Sequence, residues 1–541
     1  MNTKSIQNGR VHRISLKILI VVILITGIWF RFTNLERKVY SFDESITSLR
    51  ISGYTWTEMV QQDFQGKTIS VQDLQRKYQQ INPEKTWWDT VKGLATEEPQ
   101  LSPLYFILAR FWVQLFGPQV ATVRSLSALI SLLVFPSIYW LCWELFRSAS
   151  VGWMAVTIVA VSPFHVLYAQ EARPYMMFAV VVLLSNAILL RAIAIQNSPA
   201  TSKLSKAVWF IYAIALTLGL YCSLLFFLVI LVHGIYVIIK DNWRFGKTLI
   251  TYLVTAAIAI ILFAPWIWVL LENAQKIEAT VGLPRIYLSF ISSLKPLIII
   301  TCRMFIDTHW AGGIIKLGSS NIATDLIRLI VVVVLLLAIA HSIYSLCRST
   351  PKRVWLFVLT AIGITAIVLI AVRGVADRYM VPYILGIQLA VAYLFTAKIA
   401  AATNARQQKL WQLGLIALIS SGIVSCAVSS QSQLWWNKYP SSTKYNPQVA
   451  AIVNQAQKPL VISHGGNNIT GKILSLSYLL KPQAQLLLAV KPEQVKIPDG
   501  FSDVFLYRAT EALQFELEKV QKYKITPIYK PGDVWLWSVE K

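Results

Sequence analysis

Two adjacent carboxylates, Asp43 and Glu44, follow the first hydrophobic segment of the chain by about ten residues. Charged side chains are costly to keep at a membrane boundary, so those that occur there are candidates for function. A carboxylate in this position suits a general base that accepts a proton from a hydroxyl, and it also suits a metal ligand. Adjacent helical residues point about 100° apart, which predicts different roles for the two. The pattern Ser41-x-x-Glu44 also fits a capping box, a structural feature of helix starts.

A second set of polar residues lies in two short segments. Glu98 follows Glu97 directly before a proline, and Glu171 and Arg173 are two residues apart in the sequence Gln-Glu-Ala-Arg-Pro-Tyr, which ends at Tyr175. We interpret Glu98, Glu171, Arg173 and Tyr175 as candidates for a substrate site. The structural alternatives are an ordinary acidic loop for Glu98 and an ion pair that only fixes the turn for Glu171 and Arg173.

Arginines in two other segments suit the binding of a phosphate. Arg373 and Arg378 flank Asp377 in the sequence RGVADRYMVPY, and Arg303 precedes His309 in an earlier segment. A guanidinium offers both charge and a planar fork of donors to phosphate oxygens. Arginines at helix ends also reach toward the membrane surface without binding a ligand. The sequence predicts a phosphate-binding group of Arg378, Arg373 and Arg303, with His309 as a further candidate for the substrate site.

The composition identifies the elements that must position these residues. Of 541 residues, 55% are hydrophobic and 14% are charged, which is typical of a protein with many membrane spans. A hydrocarbon core about 30 Å thick requires spans of about 20 residues. The segment 286–306 is a marginal span because Lys295, Pro296 and Arg303 interrupt it. Eleven other segments are predicted to span the membrane: 16–33, 121–142, 151–168, 174–195, 206–222, 223–240, 248–271, 322–347, 354–372, 377–399 and 409–428.

The basic residues predict the orientation of these spans. Lys and Arg concentrate in alternate connecting segments, and the positive-inside rule places those segments in the cytoplasm together with the N-terminus. A twelfth span would reverse everything after it and put the basic loops outside. The outer segments are then 34–120, 272–321 and the tail. We predict a transmembrane domain over 1–428 and an extracytoplasmic domain over 429–541.

The tail has the pattern of a small soluble α/β domain. Short β-like runs alternate with helix-like stretches such as 510–522, and Lys530-Pro531-Gly532-Asp533 predicts a hairpin turn. The predicted strands are Leu460–Ser463, Gln485–Val490, Asp503–Tyr507, Ile525–Tyr529 and Val534–Val539.

The segment Pro103–Gly117 predicts a helix that lies in the membrane interface instead of spanning the membrane. Arg110 and Gln114 would mark its polar side. Its apolar face would comprise Leu104, Leu108, Phe111 and Leu115.

Cysteine usage and net charge limit the possible cofactors and partners. The five cysteines show no CxxC pairing, which predicts neither a disulfide framework nor a zinc site. The net charge of +24 comes from basic residues placed as topology determinants, so the lipid bilayer and not nucleic acid is the expected partner.

Four stretches of the sequence resemble the GT-C superfamily of membrane glycosyltransferases. The similarity is greatest to the branch of dolichyl-phosphate-mannose protein mannosyltransferases and bacterial lipid A aminoarabinose transferases. The fold class predicted is therefore an all-α polytopic membrane protein of GT-C type, with about eleven transmembrane helices and a small soluble C-terminal α/β domain. The stretches are SFDES at 41–45, EEPQLSPLYFILARFWVQLFG at 97–117, SPFHVLYAQEARPYMM at 162–177 and DRYMVPY at 377–383.

The resemblance implies transfer of a sugar from a polyprenyl-phosphate donor on the outer face of the membrane. Asp43 matches the acidic residue of the family's first loop, usually taken as the base or acceptor-positioning group. Arg378 matches a position suited to lipid phosphate, and Glu171 and Arg173 match a recurrent turn. Relatives often have His-Pro-Pro-Leu before the interfacial helix, where this chain has Leu-Ser-Pro-Leu at 101–104, so no role of that histidine carries over.

The implied chemistry is direct displacement with inversion at the anomeric carbon. Arginine would stabilise the charge that develops on the leaving phosphate. A monophosphate donor needs no metal in principle, whereas a diphosphate donor would make Asp43 and Glu44 plausible ligands of a divalent cation. Protein, lipid and glycan acceptors all remain open. The bacterial inner membrane is the expected location, by likeness to bacterial members of the family.

A transporter or flippase for lipid-linked sugars is the first alternative function, and a non-catalytic scaffold that holds partners with its tail is the second. Transporters commonly show internal repeats or broken helices at mid-membrane. No clear repeat is evident here, and the polar candidates collect near one surface. These features favour an enzyme.

Overall fold

The computed structural model describes residues 3–196, 202–281, 290–307, 322–372, 374–435, 443–465, 467–533 and 535–540. The chain divides into two compact units. The first, which we call the membrane unit, contains residues 1–35, 100–104 and 124–431. The second, which we call the sheet unit, contains residues 36–99, 105–123 and 432–541. The sheet unit therefore draws on the segment after the first helix as well as on the tail.

Helices make up most of the described chain. Short 3-10 turns occur at Asp377–Tyr379 and Pro492–Gln494, and a π-helical turn occurs at Glu516–Val520. The α-helices are α1 (Thr3–Phe32), α2 (Phe42–Ser52), α3 (Trp56–Asp63), α4 (Val71–Tyr78), α5 (Trp87–Glu97), α6 (Leu104–Phe116), α7 (Val120–Leu132), α8 (Val134–Phe146), α9 (Ala149–Ala160), α10 (Pro163–Ala169), α11 (Tyr175–Gln196), α12 (Ser202–Cys222), α13 (Phe226–Lys240), α14 (Lys247–Glu272), α15 (Ala274–Val281), α16 (Phe290–Arg303), α17 (Ile322–Ser349), α18 (Lys352–Ala371), α19 (Val381–Ala400), α20 (Ala405–Gln431), α21 (Asn446–Val453), α22 (Asn467–Ser477) and α23 (Glu511–Phe515). The strands are β1 (Gln65–Ser70), β2 (Pro459–His464), β3 (Gln485–Ala489), β4 (Asp503–Tyr507), β5 (Lys524–Tyr529) and β6 (Leu536–Glu540).

The many membrane spans predicted from the sequence are confirmed. Among the described residues, eight helical segments are long and apolar enough to cross a membrane. They are the α7–α8 segment, α11, α12, α14, α17, α18, α19 and α20. The pair α9 and α10 bends by 60° and gives a ninth if it counts as one broken span. The other two predicted spans fall on α1 and on α13, which has 15 residues.

The marginal segment 286–306 corresponds in part to α16. This helix has 14 residues and contains Pro296 in its interior. At 1.5 Å per residue it is about 21 Å long, which is shorter than a hydrocarbon core of about 30 Å. The described part of this helix is therefore too short to cross the core by itself, and the argument against a twelfth span stays a prediction.

Arg31 fixes the break between α9 and α10. Its guanidinium is fully buried and donates hydrogen bonds to the carbonyl oxygens of Ala160 at 2.6 Å and Val159 at 3.2 Å. These carbonyls end α9, where helix carbonyls lack the usual N–H of the next turn, although the Val159 carbonyl also accepts the Ser162 N–H at 3.4 Å. A cation is also favoured at the negative end of a helix dipole. The last turn of α1 therefore caps the broken end of α9.

The sheet unit contains a six-stranded mixed sheet in the order β1-β3-β2-β4-β6-β5. Strand β2 pairs in parallel with β3 and β4, and the remaining pairs are antiparallel. All five strands predicted in the tail are present, and the turn at 530–533 joins β5 to β6 as expected. Strand β1 comes from the segment after the first helix, and no β-signal was recognised there in the sequence.

Residues on the central strands alternate between two apolar cores, because successive side chains in a strand point to opposite faces. On β2, Val461 faces the core that contains α2, α4 and α22, whereas Leu460 and Ile462 face the opposite core. Helix α2 contributes Ile46 and Leu49 to the first core, and both side chains are buried. This packing holds the helix that carries Asp43 against the sheet.

The prediction for the polar side of α6 is partly wrong. Arg110 is fully buried and donates hydrogen bonds to the carbonyl oxygens of Ile51, Asn82 and Lys85. The predicted apolar face is not contradicted, because Leu115 on that face is 77% exposed, as a side chain directed to lipid would be. Arg110 turns inward because its buried guanidinium can supply several donors at once, and the Ile51 and Lys85 carbonyls accept from it.

Candidate functional site

Asp43 and Glu44 have different roles in helix α2. Glu44 is fully buried, and its carboxylate accepts a hydrogen bond from the Ser41 N–H at 2.9 Å. The Glu44 N–H donates to Ser41 Oγ at 3.3 Å, which completes a capping box. The side chain of Asp43 is partly exposed in the first turn of the same helix. Glu44 is therefore buried as part of the capping box, whereas Asp43 is the partly exposed carboxylate of the pair.

Helix α2 is also held at its other end. Arg50 is buried, and its guanidinium lies 2.7 Å from the Glu97 carboxylate and 3.0 Å from the Glu98 carboxylate. It also lies over the Trp56 ring at 4.7 Å. Glu97 in addition accepts the N–H groups of Trp56 and Thr57, the first residues of α3. The acidic pair before Pro99 thus joins α2, α3 and α5, and Glu98 is part of that ion pair.

The turn that contains Glu171 and Arg173 lies in the membrane unit, between α10 and α11. Both side chains are buried. Gln170 holds the turn to the end of α1, because its amide donates to the carbonyl oxygens of Phe30 at 2.8 Å and Thr33 at 2.9 Å.

Two further contacts fix this turn. The Ser127 hydroxyl donates to the Arg173 carbonyl at 3.3 Å. The ring of Tyr175 packs edge-on against Tyr168. Glu171, Arg173 and Tyr175 are therefore brought together on a turn with a fixed backbone.

A buried polar chain orients α10 against the neighbouring helices. His165 Nε2 and Gln388 Oε1 are 3.0 Å apart, and the Gln388 amide donates to the Ser162 hydroxyl at 3.2 Å. The Ser162 hydroxyl in turn donates to the Met304 carbonyl at 2.8 Å. His165 is thus part of the packing between α10 and α19, and the same chain reaches the residue after α16.

Arg303 and Arg378 occupy different surroundings within the membrane unit. The Arg303 guanidinium lies 3.5 Å from the Asp377 carboxylate and 3.8 Å from the Asp307 carboxylate. Arg378 lies over the Tyr379 ring at 4.9 Å in the short 3-10 turn before α19. The structure therefore brings Arg303 and the Asp377–Tyr379 turn together, and two carboxylates already neutralise Arg303. The candidates Arg373 and His309 lie outside the described residues.

The described part of the chain contains no preformed metal site. No group of three or more His, Cys, Asp or Glu side chains there is arranged to hold a metal ion. The cysteines are free, and all but Cys347 are buried. Independence from metal remains a prediction.

Sequence patterns missed the buried arginines that organise both units. Arg31, Arg50 and Arg110 are all buried, and each contacts groups that are distant in sequence. The sequence did indicate that these arginines need partners, because a lone arginine within an apolar segment must find hydrogen-bond acceptors. The local sequence did not indicate which carbonyl or carboxylate each arginine would contact.

The chain thus contains an α-helical membrane unit and a unit with a mixed sheet. In comparison with known proteins, residues 98–268 match the family model described as dolichyl-phosphate-mannose-protein mannosyltransferase. The matched region contains Glu98, Glu171, Arg173 and Tyr175. It does not extend to Asp43 or to the arginines after α15.

Two solved structures have a similar fold. ArnT from Cupriavidus metallidurans, bound to undecaprenyl phosphate, is 13% identical over 97% of this chain and 98% of its own, with a TM-score of 0.52. The archaeal oligosaccharyltransferase AglB from Archaeoglobus fulgidus, in complex with an inhibitory peptide and a dolichol-phosphate, is 11% identical over 93% of this chain and 69% of its own, with a TM-score of 0.52. No curated protein sequence matches the chain significantly. The resemblance to GT-C glycosyltransferases predicted from the sequence is thus confirmed at the level of fold and family model.

Proposed function

We propose that this protein transfers a sugar from a polyprenyl-phosphate-linked donor to an acceptor hydroxyl on the outer face of the membrane, with inversion. The observation that carries the proposal is the difference between the two carboxylates of α2. Glu44 is buried in the capping box, and Asp43 is partly exposed to solvent. The first turn of a helix is a favourable place for a carboxylate charge. Asp43 is therefore the base, and Glu44 is the residue that fixes the start of its helix.

The reaction is a single displacement in this proposal. The acceptor oxygen attacks the anomeric carbon while Asp43 takes the hydroxyl proton. The bond between the anomeric carbon and the phosphate oxygen breaks, and polyprenyl phosphate leaves with the electron pair. Attack from the face opposite the leaving group inverts the anomeric configuration. With a monophosphate donor no metal is required, so we expect activity in the presence of a chelator.

Arg378 is the main donor-phosphate residue in the proposal. A guanidinium can donate two parallel hydrogen bonds to phosphate oxygens and stabilise the charge on the leaving group. Arg303 has a weaker claim, because Asp377 and Asp307 both lie within 4 Å of its guanidinium. The lipid phosphates named with ArnT and AglB support this class of donor. Glu171, Arg173 and Tyr175 remain substrate-site candidates, as do Arg373 and His309.

The bacterial inner membrane is the proposed location, with the N-terminus in the cytoplasm and the tail outside. The density of basic residues in alternate loops supports that orientation. A reporter fused after residue 541 and another placed in the loop at 241–246 would be accessible from opposite sides of the membrane.

The test uses the full-length protein reconstituted in lipid with a panel of radiolabelled polyprenyl-phosphate sugars and a membrane extract as acceptor source. Free polyprenyl phosphate and labelled product are measured for wild type, Asp43→Asn and Asp73→Asn. Asp73 is the matched control, because it is an exposed aspartate in the first turn of another helix of the sheet unit, α4.

We expect Asp43→Asn to abolish both products and Asp73→Asn to retain them. Full turnover by Asp43→Asn would overturn the assignment of the base. If wild type releases no polyprenyl phosphate from any donor but moves labelled lipid across sealed vesicles, the protein is a flippase and the proposed function is wrong.

A further inference from the structure

Three helices of the membrane unit meet at a cluster of His341, Phe395, Lys398 and Trp411, which we call the Trp411 cluster. The Trp411 ring of α20 lies nearly parallel to the His341 ring of α17, with centroids 6.1 Å apart and an angle of 14° between the planes. Phe395 of α19 meets the same ring edge-on at 6.2 Å, and Lys398 Nζ of α19 lies 5.9 Å from its centroid. The proposed reaction uses none of these side chains.

Three polar groups of the Trp411 cluster have no hydrogen-bond or ion-pair partner among the residues that the structure describes. They are the Lys398 ammonium, the Trp411 indole N–H and the His341 imidazole. His341 is exposed, and Lys398 and Trp411 are half-buried. An ammonium offers three donors, and an indole N–H offers one. The cluster therefore presents unpaired donors at an accessible surface of the membrane unit.

The Trp411 cluster lies near one end of the membrane spans. Lys398 belongs to the last turn of α19, and Trp411 is in the second turn of α20. Helix α20 has 27 residues and is about 40 Å long, which exceeds a hydrocarbon core of about 30 Å. Its first turns therefore reach the membrane boundary, where tryptophan is enriched. In the orientation proposed above, this boundary faces the cytoplasm.

This end of α17, α19 and α20 carries basic residues and no carboxylate. From residue 326 to residue 492, Asp377 is the only Asp or Glu. Asp377 precedes α19, whereas Lys398 lies near the other end of that helix, about 25 Å away along its axis. The other basic residues at the same end are Arg348, Lys352, Arg353, Arg406 and Lys409. A ligand with negative charge is therefore favoured here.

Exposed apolar side chains continue from the cluster along the same helices. Leu337, one turn before His341 on α17, is 65% exposed. Leu413 and Ile416, which follow Trp411 on α20, are 53% and 54% exposed. A soluble anion would leave these side chains uncovered, whereas hydrocarbon chains would cover them. The surface therefore matches a ligand with an anionic head and apolar chains.

We propose that the Trp411 cluster binds the headgroup of an anionic glycerophospholipid. The Lys398 ammonium and the Trp411 indole N–H donate to phosphate oxygens, and the acyl chains lie along the exposed apolar side chains of α17 and α20. His341 forms the side of the site on α17. The bound lipid supplies the negative charge that the three helices lack at this end. The site goes beyond the proposed function, because its ligand is neither the sugar donor nor the acceptor.

The test compares three ligands by native mass spectrometry of the full-length protein in detergent: phosphatidylglycerol, phosphatidylcholine with the same acyl chains, and glycerol 3-phosphate. Lys398→Gln removes the cation of the site, Lys398→Arg keeps it, and Trp411→Leu removes the indole N–H. Lys398 makes no hydrogen bond in the described part of the chain, so the fold should tolerate both changes there. The matched controls are Lys247→Gln and Trp268→Leu, at exposed positions of another span, α14.

We expect wild type to bind phosphatidylglycerol about fivefold more tightly than phosphatidylcholine, which is the effect of one lysine at an anionic lipid headgroup. Lys398→Gln should remove most of that preference, and Lys398→Arg should retain it. Trp411→Leu should weaken binding of both lipids, because both carry a phosphate that accepts the indole N–H. Glycerol 3-phosphate should bind more weakly than either lipid, and the control variants should behave like wild type.

Equal binding of the two lipids by wild type would overturn the proposal. A loss of selectivity in Lys247→Gln as large as that in Lys398→Gln would also overturn it, because the selectivity would then come from the overall positive charge. Binding of glycerol 3-phosphate as tight as that of phosphatidylglycerol would show an anion site that does not recognise a lipid. None of these measurements involves sugar transfer, so the lipid site and the proposed function are tested separately.

Discussion

Phe42 and Gly471 are in such close contact that a Cβ atom on Gly471 would lie 2.6 Å from the Phe42 ring. The same Cβ would lie 3.1 Å from Ile46. Phe42 is the residue directly before Asp43, and Gly471 belongs to α22 in the tail. The tail therefore sets the position of the helix that carries the proposed base, through a contact that only glycine permits.

Gly471→Ala should lower turnover by displacing Phe42 and the start of α2. Overpacking of a filled contact typically costs about 1–3 kcal/mol, so most of the protein should remain folded. We expect a fall in kcat for sugar transfer together with a modest loss of thermal stability.

Gly363→Ala is the control for this change, because Gly363 lies within α18 and a Cβ there meets nothing within 4 Å. Transfer activity and the melting temperature should both match wild type in that variant. Full activity of Gly471→Ala would show that the contact does not position the base.

Arg50→Met should destabilise the sheet unit severely. It would leave the Glu97 and Glu98 carboxylates, each 12% exposed or less, without their buried cation. Removing one partner of a buried ion pair typically costs about 3–5 kcal/mol. Thermal unfolding of the purified variant is the measurement, and Arg76→Gln, at an exposed position of α4, is the control.

Glu98→Gln then separates the two roles considered for Glu98. A structural residue should lose stability on this change while the folded fraction retains its specific activity. A substrate-binding residue should do the reverse, with unchanged stability and a raised KM. We expect the first result, because Arg50 holds the Glu98 carboxylate at 3.0 Å.

Arg31→Met should lower the melting temperature by several degrees. The Ala160 carbonyl would lose the Arg31 donor in an apolar environment, at a cost of about 1–3 kcal/mol, and the Val159 carbonyl would keep only backbone donors such as the Ser162 N–H at 3.4 Å. Arg31→Lys should restore little of the lost stability. An ammonium lacks the planar fork of donors that reaches the carbonyls of Val159, Ala160 and Gly27. Lys17→Met, at an exposed position of α1, is the control, and stability equal to wild type in Arg31→Met would contradict the capping role.

The stability of the sheet unit should depend on pH through His464. Burial lowers the pKa of His464 at the end of β2, where Nδ1 lies 3.1 Å from the Thr510 hydroxyl. Because the folded pKa is below the ordinary value of about 6.5, the folded state binds the proton less readily than the unfolded chain. The associated stability is present above about pH 6.5 and is lost as the pH falls below it.

Melting temperatures of wild type and His464→Gln, measured at several pH values from 7.5 to 5.5, test this dependence. The advantage of wild type should shrink as the pH falls. A difference that stays constant over this range would show that His464 does not titrate differently in the folded state.

The sequence was sufficient to predict features that depend on local composition. Hydrophobic length alone predicted the helices of the membrane unit, and alternating apolar residues predicted the five strands of the tail. The capping box at Ser41 and Glu44 was readable for the same reason, because its two hydrogen bonds join residues only three apart.

Tertiary structure decided which of the candidate residues are structural. The sequence of α6 placed Arg110 on the polar side of the helix. The carbonyls that accept hydrogen bonds from its buried guanidinium belong to residues 25 to 59 positions away. Strand β1 exists because β3, more than 400 residues later, supplies its partner. Gly471 has a specific function in packing only because Phe42 lies against it. Local patterns carry no record of such partners, since the free energy of these contacts arises only when distant segments of the chain meet.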